Sequence, residues 1–211
     1  DLNERDAVFM GSPMAHQTGF MYAGVLSMVT GVKSVLLDIW DPVAAAELIE
    51  AEGCTITVAA TPFLSDLVYT PAVQNFDLSG LRLFMCAGAP IPRVLLRDAA
   101  RTHPNLYVMS GWGMTENGIV TATYPGDPDQ KVFETDGRAL PLQEVRIVDQ
   151  DGNVLPANVE GRLQARGPTH FVGYFKRPDA YQMNDELWFE TGDLARMDED
   201  GYIRITGRSK D

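Results

Sequence analysis

The stretch RLFMCAGAPIPRVLLRDAARTHPNLYVM, residues 82–109, decides the fold. Arg82-Leu83-Phe84-Met85-Cys86-Ala87 is a short apolar run that reads as a strand. Gly88-Ala89-Pro90 interrupts it, and Pro92 to His103 has the spacing of an amphipathic helix. Leu106 to Met109 is apolar again and reads as the next strand. A strand, a helix of this size and another strand form a crossover, which sets neighbouring strands parallel.

The same alternation extends toward the N-terminus. Thr55 to Ala60 is β-branched and apolar, the composition of a buried strand, and Pro62 to Tyr69 reads as a helix. Pro42 to Glu52 is a helix with Asp41 as its cap, Pro42 at its first position and Gly53 at its end. Ser34 to Leu37 is one more strand. Gly19 to Val32 is broken by Gly24, Ser27 and Thr30 and falls short of the roughly 20 apolar residues of a membrane crossing, so it is expected to be a buried helix.

After about residue 130 the period changes from helical to alternating. Glu144 to Asp149, Arg162 to Arg166 and Tyr202 to Thr206 alternate polar and apolar residues, with turn signals at Asp151-Gly152 and Asp200-Gly201. The fold class expected is therefore α/β, a mainly parallel sheet flanked by helices, followed by a small antiparallel β-rich half-barrel. The boundaries expected are 1–130 for the α/β part, 131–206 for the β-rich part and 207–211 for a hinge segment.

Composition narrows the function. Seventeen Lys and Arg against 29 Asp and Glu give a formal net charge of −12, which argues against generic binding to nucleic acid or to an anionic membrane. The first residues, Asp1 to Asp6, are charged and lack the apolar core of a signal peptide, and no membrane insertion is expected. Cys54 and Cys86 sit among β-type apolar residues, as buried reduced thiols would. A cytoplasmic location is the expectation that follows.

SGWGMTENG, residues 110–118, follows the last strand of the opening stretch and reads as a loop at the ligand-bearing end of a parallel sheet. Glycines let backbone amides approach a ligand, and the hydroxyls of Ser110 and Thr115 suit phosphate oxygens. Glu116 beside phosphate calls for a cation, and Mg²⁺ meets that need. Trp112 offers a flat face for a base. Gly88-Ala89-Pro90 admits close approach of a purine or is a plain strand-to-helix turn. Thr191-Gly192-Asp193 presents a carboxylate suited to vicinal hydroxyls or is an ordinary tight turn. Gly207-Arg208-Ser209-Lys210-Asp211 adds a cationic fork and a potential hinge, or is a solvated tail.

Together these segments occur in one order: Gly88-Ala89-Pro90, Trp112-Gly113-Met114-Thr115-Glu116, Gly161-Arg162-Leu163 through Gly173-Tyr174, Thr191-Gly192-Asp193 and Gly207 to Asp211. That order resembles the adenylate-forming superfamily of acyl-CoA synthetases, adenylation domains and firefly-type luciferases, over nearly the whole chain. The resemblance implies that an acid and ATP give an acyl-adenylate and pyrophosphate, after which the acyl group passes to a thiol. It implies Gly88, Ala89 and Pro90 lining the adenine and acyl pocket, and Trp112, where tyrosine is usual, stacking near adenine within Trp112-Gly113-Met114. Thr115 is implied at phosphate and Glu116 at Mg²⁺, as the catalytic pair. Asp193 is implied on the ribose hydroxyls with Arg208 assisting, and Asp211 at the hinge.

Ser12 to Gly19 matches the segment in which a histidine or aromatic residue borders the acyl site, with His16 in that place; a histidine that caps the following helix is the other reading. Two departures accompany the match. Arg162 stands where glutamate is usual, and the resemblance implies a phosphate loop before residue 1 and a C-terminal domain after residue 211 that this sequence does not include. The 211 residues alone are accordingly expected to be inactive. From Ser12 to Val32 there is no acidic residue to pair with an α-ammonium, so the acid expected is medium-chain, alicyclic or aromatic, without an α-amino group, and coenzyme A is the acceptor expected. Transfer to a carrier-protein phosphopantetheine and a non-catalytic nucleotide-binding or scaffold module are the alternatives.

Overall fold

Ala7-Val8-Phe9-Met10 forms strand β1 (Ala7–Met10), apolar and buried at all four positions, as in a strand covered on both faces. The sequence reading passed over it because four residues carry too little periodicity. The computed structural model describes residues 2–181 and 183–209, and the chain divides into two compact units, Asp1–Met109 and Ser110–Asp211.

In the first unit β1 lies between β2 (Lys33–Leu36) and β3 (Ile56–Ala59), β4 (Leu83–Cys86) follows β3, and these pairings are all parallel. Strand β5 (Tyr107–Met114) starts beside β4, where the Tyr107 N–H donates to the Arg82 carbonyl at 3.0 Å. The connections are helical, as expected. Helix α1 (Gln17–Gly19), a π-helical segment Phe20–Val25 and α2 (Leu26–Thr30) precede β2. Helices α3 (Pro42–Glu52), α4 (Thr61–Tyr69) and α5 (Arg93–Thr102) follow in turn. The Asp41 carboxylate accepts from the amides of Val43 and Ala44 at 3.0 and 2.8 Å, satisfying two donors that the first turn of α3 would leave open.

The helix expected to be buried over 19–32 is helical but not buried. Phe20, Met28 and Val29 are 53%, 76% and 79% exposed, and in that run Gly19, Ala23 and Val32 are buried. The π-helical segment shifts the phase between the two α-helical pieces, so the apolar side chains do not gather on one stripe. The core instead comes from Phe9, Met10, Ile49, Leu64, Leu67, Phe84 and Leu96, each at 2% exposure or less.

At the start of the strands Asp6 is buried, accepting from Thr55 Oγ1 at 2.7 Å and from the Arg82 guanidinium at 3.0 Å. Burial pushes its carboxyl up, but the hydrogen bonds from Thr55, Asn3 and Arg82 outweigh that and hold it below the usual aspartate value. Both cysteines are buried and neither is in a disulfide, and burial pushes the Cys54 thiol up to about 11.

In the second unit β5 runs on through Ser110-Gly111-Trp112-Gly113-Met114 and pairs antiparallel with β6 (Gly118–Ala122). The loop expected at 110–118 is thus mostly strand; Thr115-Glu116-Asn117 alone make the turn. Ser110 is fully buried, its amide bound to Thr123 Oγ1, so it does not stand open to phosphate as expected. The glycines mark a bulge rather than a loop: a Cβ on Gly113 would collide with the Gly118 carbonyl, and the register shifts between Trp112 and Gly113.

Helix α6 (Asp129–Glu134) and β7 (Arg138–Ala139), antiparallel to β6, come next. Strands β8 (Glu144–Val148), β9 (Gly161–Arg166), β10 (Phe189–Met197) and β11 (Ile203–Arg208) then form an antiparallel sheet in the order β11-β10-β9-β8. Its inner face, Ile147, Leu163, Ala165, Ala195 and Ile203, packs with Trp112 and Val120 of the hairpin. Its other face is polar, with Arg146, Arg162, Gln164 and Glu190 hydrogen-bonded to one another. Among the described residues no helix is long and apolar enough to cross a membrane.

Candidate active site

The second unit brings Trp112 and Asp193 into direct contact. Trp112 is 7% exposed, its ring set in the core, and its Nε1–H donates to Asp193 Oδ2 at 2.8 Å. Asp193 Oδ1 meets Arg208 Nε at 3.1 Å. The carboxylate therefore has one oxygen on a buried indole and the other on a guanidinium that is more than half exposed. Burial is the main influence on Asp193 and raises its carboxyl above the usual value; the Trp112 bond and Arg208 pull it back only in part.

Asp193 owes its position to an irregular strand. Glu190 pairs with Gln164 and Leu194 with Arg162, so Thr191, Gly192 and Asp193 together stand opposite the one residue Leu163. Inside this bulge Thr191 Oγ1 donates to the Leu163 carbonyl at 2.7 Å and accepts the Asp193 amide at 3.1 Å. Gly192 has φ +77, and its carbonyl accepts both the amide and the hydroxyl of Ser209 at 2.9 and 3.1 Å. Arg208 faces Asp193 in the β10–β11 register. The tight-turn reading of Thr191-Gly192-Asp193 gives way to a bulge within β10.

Thr115 and Glu116 occupy the tip of the β5–β6 hairpin, Thr115 exposed and Glu116 half-buried. The tip is fastened from one side: Phe171 donates its amide to the Glu116 carbonyl at 2.8 Å, and Thr169 Oγ1 donates to the Asn117 carbonyl at 2.6 Å. Tyr174 donates its hydroxyl to Glu116 Oε1 at 2.6 Å, a bond that pushes the phenol up to about 12. Among the described residues no group of three or more His, Cys, Asp or Glu could hold a metal ion.

In the first unit, Gly88-Ala89-Pro90 follows β4 and leads toward α5. Gly88 has φ +85, is exposed, and a Cβ there would meet nothing within 4 Å, so the space beside its backbone is open. Thr61 Oγ1 fixes the turn by donating to the Pro90 carbonyl at 3.1 Å. His16 is exposed and caps α1, its Nδ1 accepting the Thr18 amide at 3.2 Å; this is the capping geometry that the sequence left as one of two readings. Asp211, expected at the hinge, lies outside the described residues.

Two features of the site escaped sequence reasoning. Tyr174 was visible only as part of Gly173-Tyr174, with nothing to connect it to Glu116. Arg162, noted as a departure, donates to Glu190 Oε2 at 2.6 Å and to the Asp149 carbonyl at 2.8 Å, and Glu190 is the residue just before Thr191-Gly192-Asp193.

A family model described as AMP-binding enzyme matches residues 1–175. The chain is 39% identical, over all of its own length and 37% of the relative's, to a medium-chain fatty-acid–CoA ligase of Escherichia coli. It is 35% identical, over its full length and 39% of the relative's, to a putative acyl-CoA synthetase, YngI, of Bacillus subtilis. Among solved structures, ATP-bound MatB from Rhodopseudomonas palustris superposes with a TM-score of 0.88 at 28% identity, covering 99% of this chain and 41% of that one. The chain thus spans about two fifths of the length of these relatives.

Proposed function

The chain belongs to the AMP-binding enzyme family, and on that premise we propose that it is the nucleotide-handling part of an AMP-forming acyl-CoA ligase. The substrate carboxylate attacks the α-phosphorus of ATP, forming an O–P bond as the bond to pyrophosphate breaks. The thiol of coenzyme A then attacks the acyl carbonyl, and AMP leaves with the electrons of the broken C–O bond. The observation that carries this reading is the Trp112–Asp193–Arg208 contact, in the same unit as the Thr115-Glu116 tip.

In this reading Asp193 accepts the two ribose hydroxyls. Its raised carboxyl and nearly complete burial suit hydrogen-bond donors from a ligand, which return part of the solvation that folding removed. Arg208 favours the ionised carboxylate. Trp112, whose ring edge is committed to Asp193, orients that acid and borders the adenine. Gly88, Ala89 and Pro90 supply an open backbone for the purine and the acyl group, and His16 borders the acyl site with Nε2, since Nδ1 is engaged by Thr18. Thr115 binds phosphate. Mg²⁺ held at Glu116 would offset phosphate charge, and Tyr174 keeps that carboxylate in one orientation.

The absence of any acid between Ser12 and Val32 supports a substrate without an α-amino group. Relatives that handle medium-chain acids support the same class. Pyrophosphate release by the full-length protein, measured over a panel of medium-chain, alicyclic and aromatic acids with free coenzyme A, tests the proposal. Acid-dependent release with thioester formation is expected. Asp193→Ala should lower kcat/KM for ATP about 100-fold, the scale of losing charged hydrogen bonds at a buried site. Turnover only with a carrier protein would move the acceptor elsewhere, and no acid-dependent release at all would overturn the reading.

A further inference from the structure

Arg162 and Glu190 sit on either side of the strand irregularity that presents Asp193. In the β9–β10 register Arg162 faces Leu194, after the bulge, and Glu190 faces Gln164, before it. Their side chains nonetheless meet, at 2.6 Å, so the ion pair spans Thr191-Gly192-Asp193 like a brace. Arg162 is itself anchored by the carbonyls of Asp149 and Gln150 beyond the end of β8, and Gln164 Nε2 donates to the same Glu190 oxygen at 3.1 Å. The pair is 30% and 17% exposed, and the second oxygen of Glu190 is buried with no hydrogen-bond partner among the described residues, so this carboxylate relies on Arg162 and Gln164 for its solvation.

Thr191 supports the bulge from inside, tying the Leu163 carbonyl to the Asp193 amide, and the ion pair spans it from outside. Two extra residues opposite Leu163 must be kept from slipping, because a change of register moves a side chain to the other face of the sheet. A slip would take Asp193 off Trp112.

We propose that Arg162 and Glu190 are a positioning pair that fixes the Asp193 bulge in the ribose-binding register. This rests on the assignment of Asp193 to the ribose hydroxyls. It predicts that the pair acts on recognition of those hydroxyls, not on the acid or on coenzyme A.

The test uses the full-length protein and compares kcat/KM for ATP with that for 2′-deoxy-ATP and 3′-deoxy-ATP. Arg162→Gln and the milder Glu190→Gln should each lower the preference for ATP over its deoxy analogues by about ten-fold, the scale of a lost charged hydrogen bond. KM for the acid should be unchanged. Arg162→Gln combined with Glu190→Gln should cost no more than the larger of the two single changes, as for residues acting through one contact, whereas independent losses of stability would add. Asp193→Ala is the control for the premise: an undiminished ATP preference in that variant removes the ribose assignment and this proposal with it. If Asp193→Ala abolishes the preference while the single variants at 162 and 190 keep it, the ribose assignment stands and the positioning role is overturned.

Discussion

The two units make their strands by opposite means. In the first, the pairings β1–β2, β1–β3 and β3–β4 run parallel without a register shift, and β1 and β3 are buried at every position. In the second, the register breaks between Trp112 and Gly113, between Glu190 and Leu194, and between Leu194 and Ala195. Each break lies on or beside a candidate site residue. Regular pairing spreads burial evenly and leaves no side chain exceptional, so it serves as scaffold. A bulge turns one side chain out of alternation, and that allows a carboxylate to lie against an indole inside a sheet.

If that division holds, damage to the first unit should cost stability and damage to the breaks should cost recognition. Phe84→Ala removes an inaccessible ring from β4 and should destabilise folding by about 3–5 kcal/mol in denaturant titration, while the folded fraction keeps its ATP KM. A large change in ATP KM with little loss of stability would erase the contrast.

Trp112→Phe keeps most of the packing and deletes the Nε1–H. It should raise ATP KM about ten-fold, as expected for a hydrogen bond to a charged group. The acid limb of its pH profile should also move. Asp193 is already raised by burial, and the Trp112 bond opposes that rise. Deleting the bond raises it further, so activity should be lost at a higher pH than in the parent. The same sign governs stability: a carboxyl whose folded value exceeds its unfolded one favours folding least at high pH, so the Asp193 contribution becomes adverse as pH rises through its titration. An acid limb that stays in place would show that Trp112 is packing alone.

Tyr174→Phe should have the smallest effect. The phenol orients Glu116 without facing a regular strand, and its loss should raise the Mg²⁺ concentration needed for half-maximal rate by about three-fold. In the parent, spectrophotometric titration should show a tyrosine ionising near 12, displaced by its bond to Glu116, and that step should vanish in the variant. An unchanged titration would place Tyr174 outside the site.

What the sequence disclosed follows the same division. Crossovers such as β2–α3–β3 were legible because apolar period, a cap at Asp41 and the glycine after Glu52 are local signals. The buried thiols were legible from their neighbours. Ser110 to Met114 was misread because glycine and polar residues count toward loops, while the reason for them is Gly118 across the hairpin. Trp112 and Asp193 were individually marked by a resemblance, yet their contact joins residues 81 positions apart, a relation no local pattern encodes. Met28 and Val29 erred in the other direction: apolar composition suggested burial, and a π-helical segment that composition does not announce turned them outward.

The Gly192 carbonyl takes both hydrogen bonds that Ser209 can offer. A doubly engaged oxygen has no free lone pair for water, so the peptide ahead of Asp193 swings only if both contacts part together. Ser209 therefore acts as a tether: a pull applied there reaches the carboxylate through one peptide unit. A reporter group attached at Ser209 would loosen that grip and sense nucleotide arrival through the same short lever.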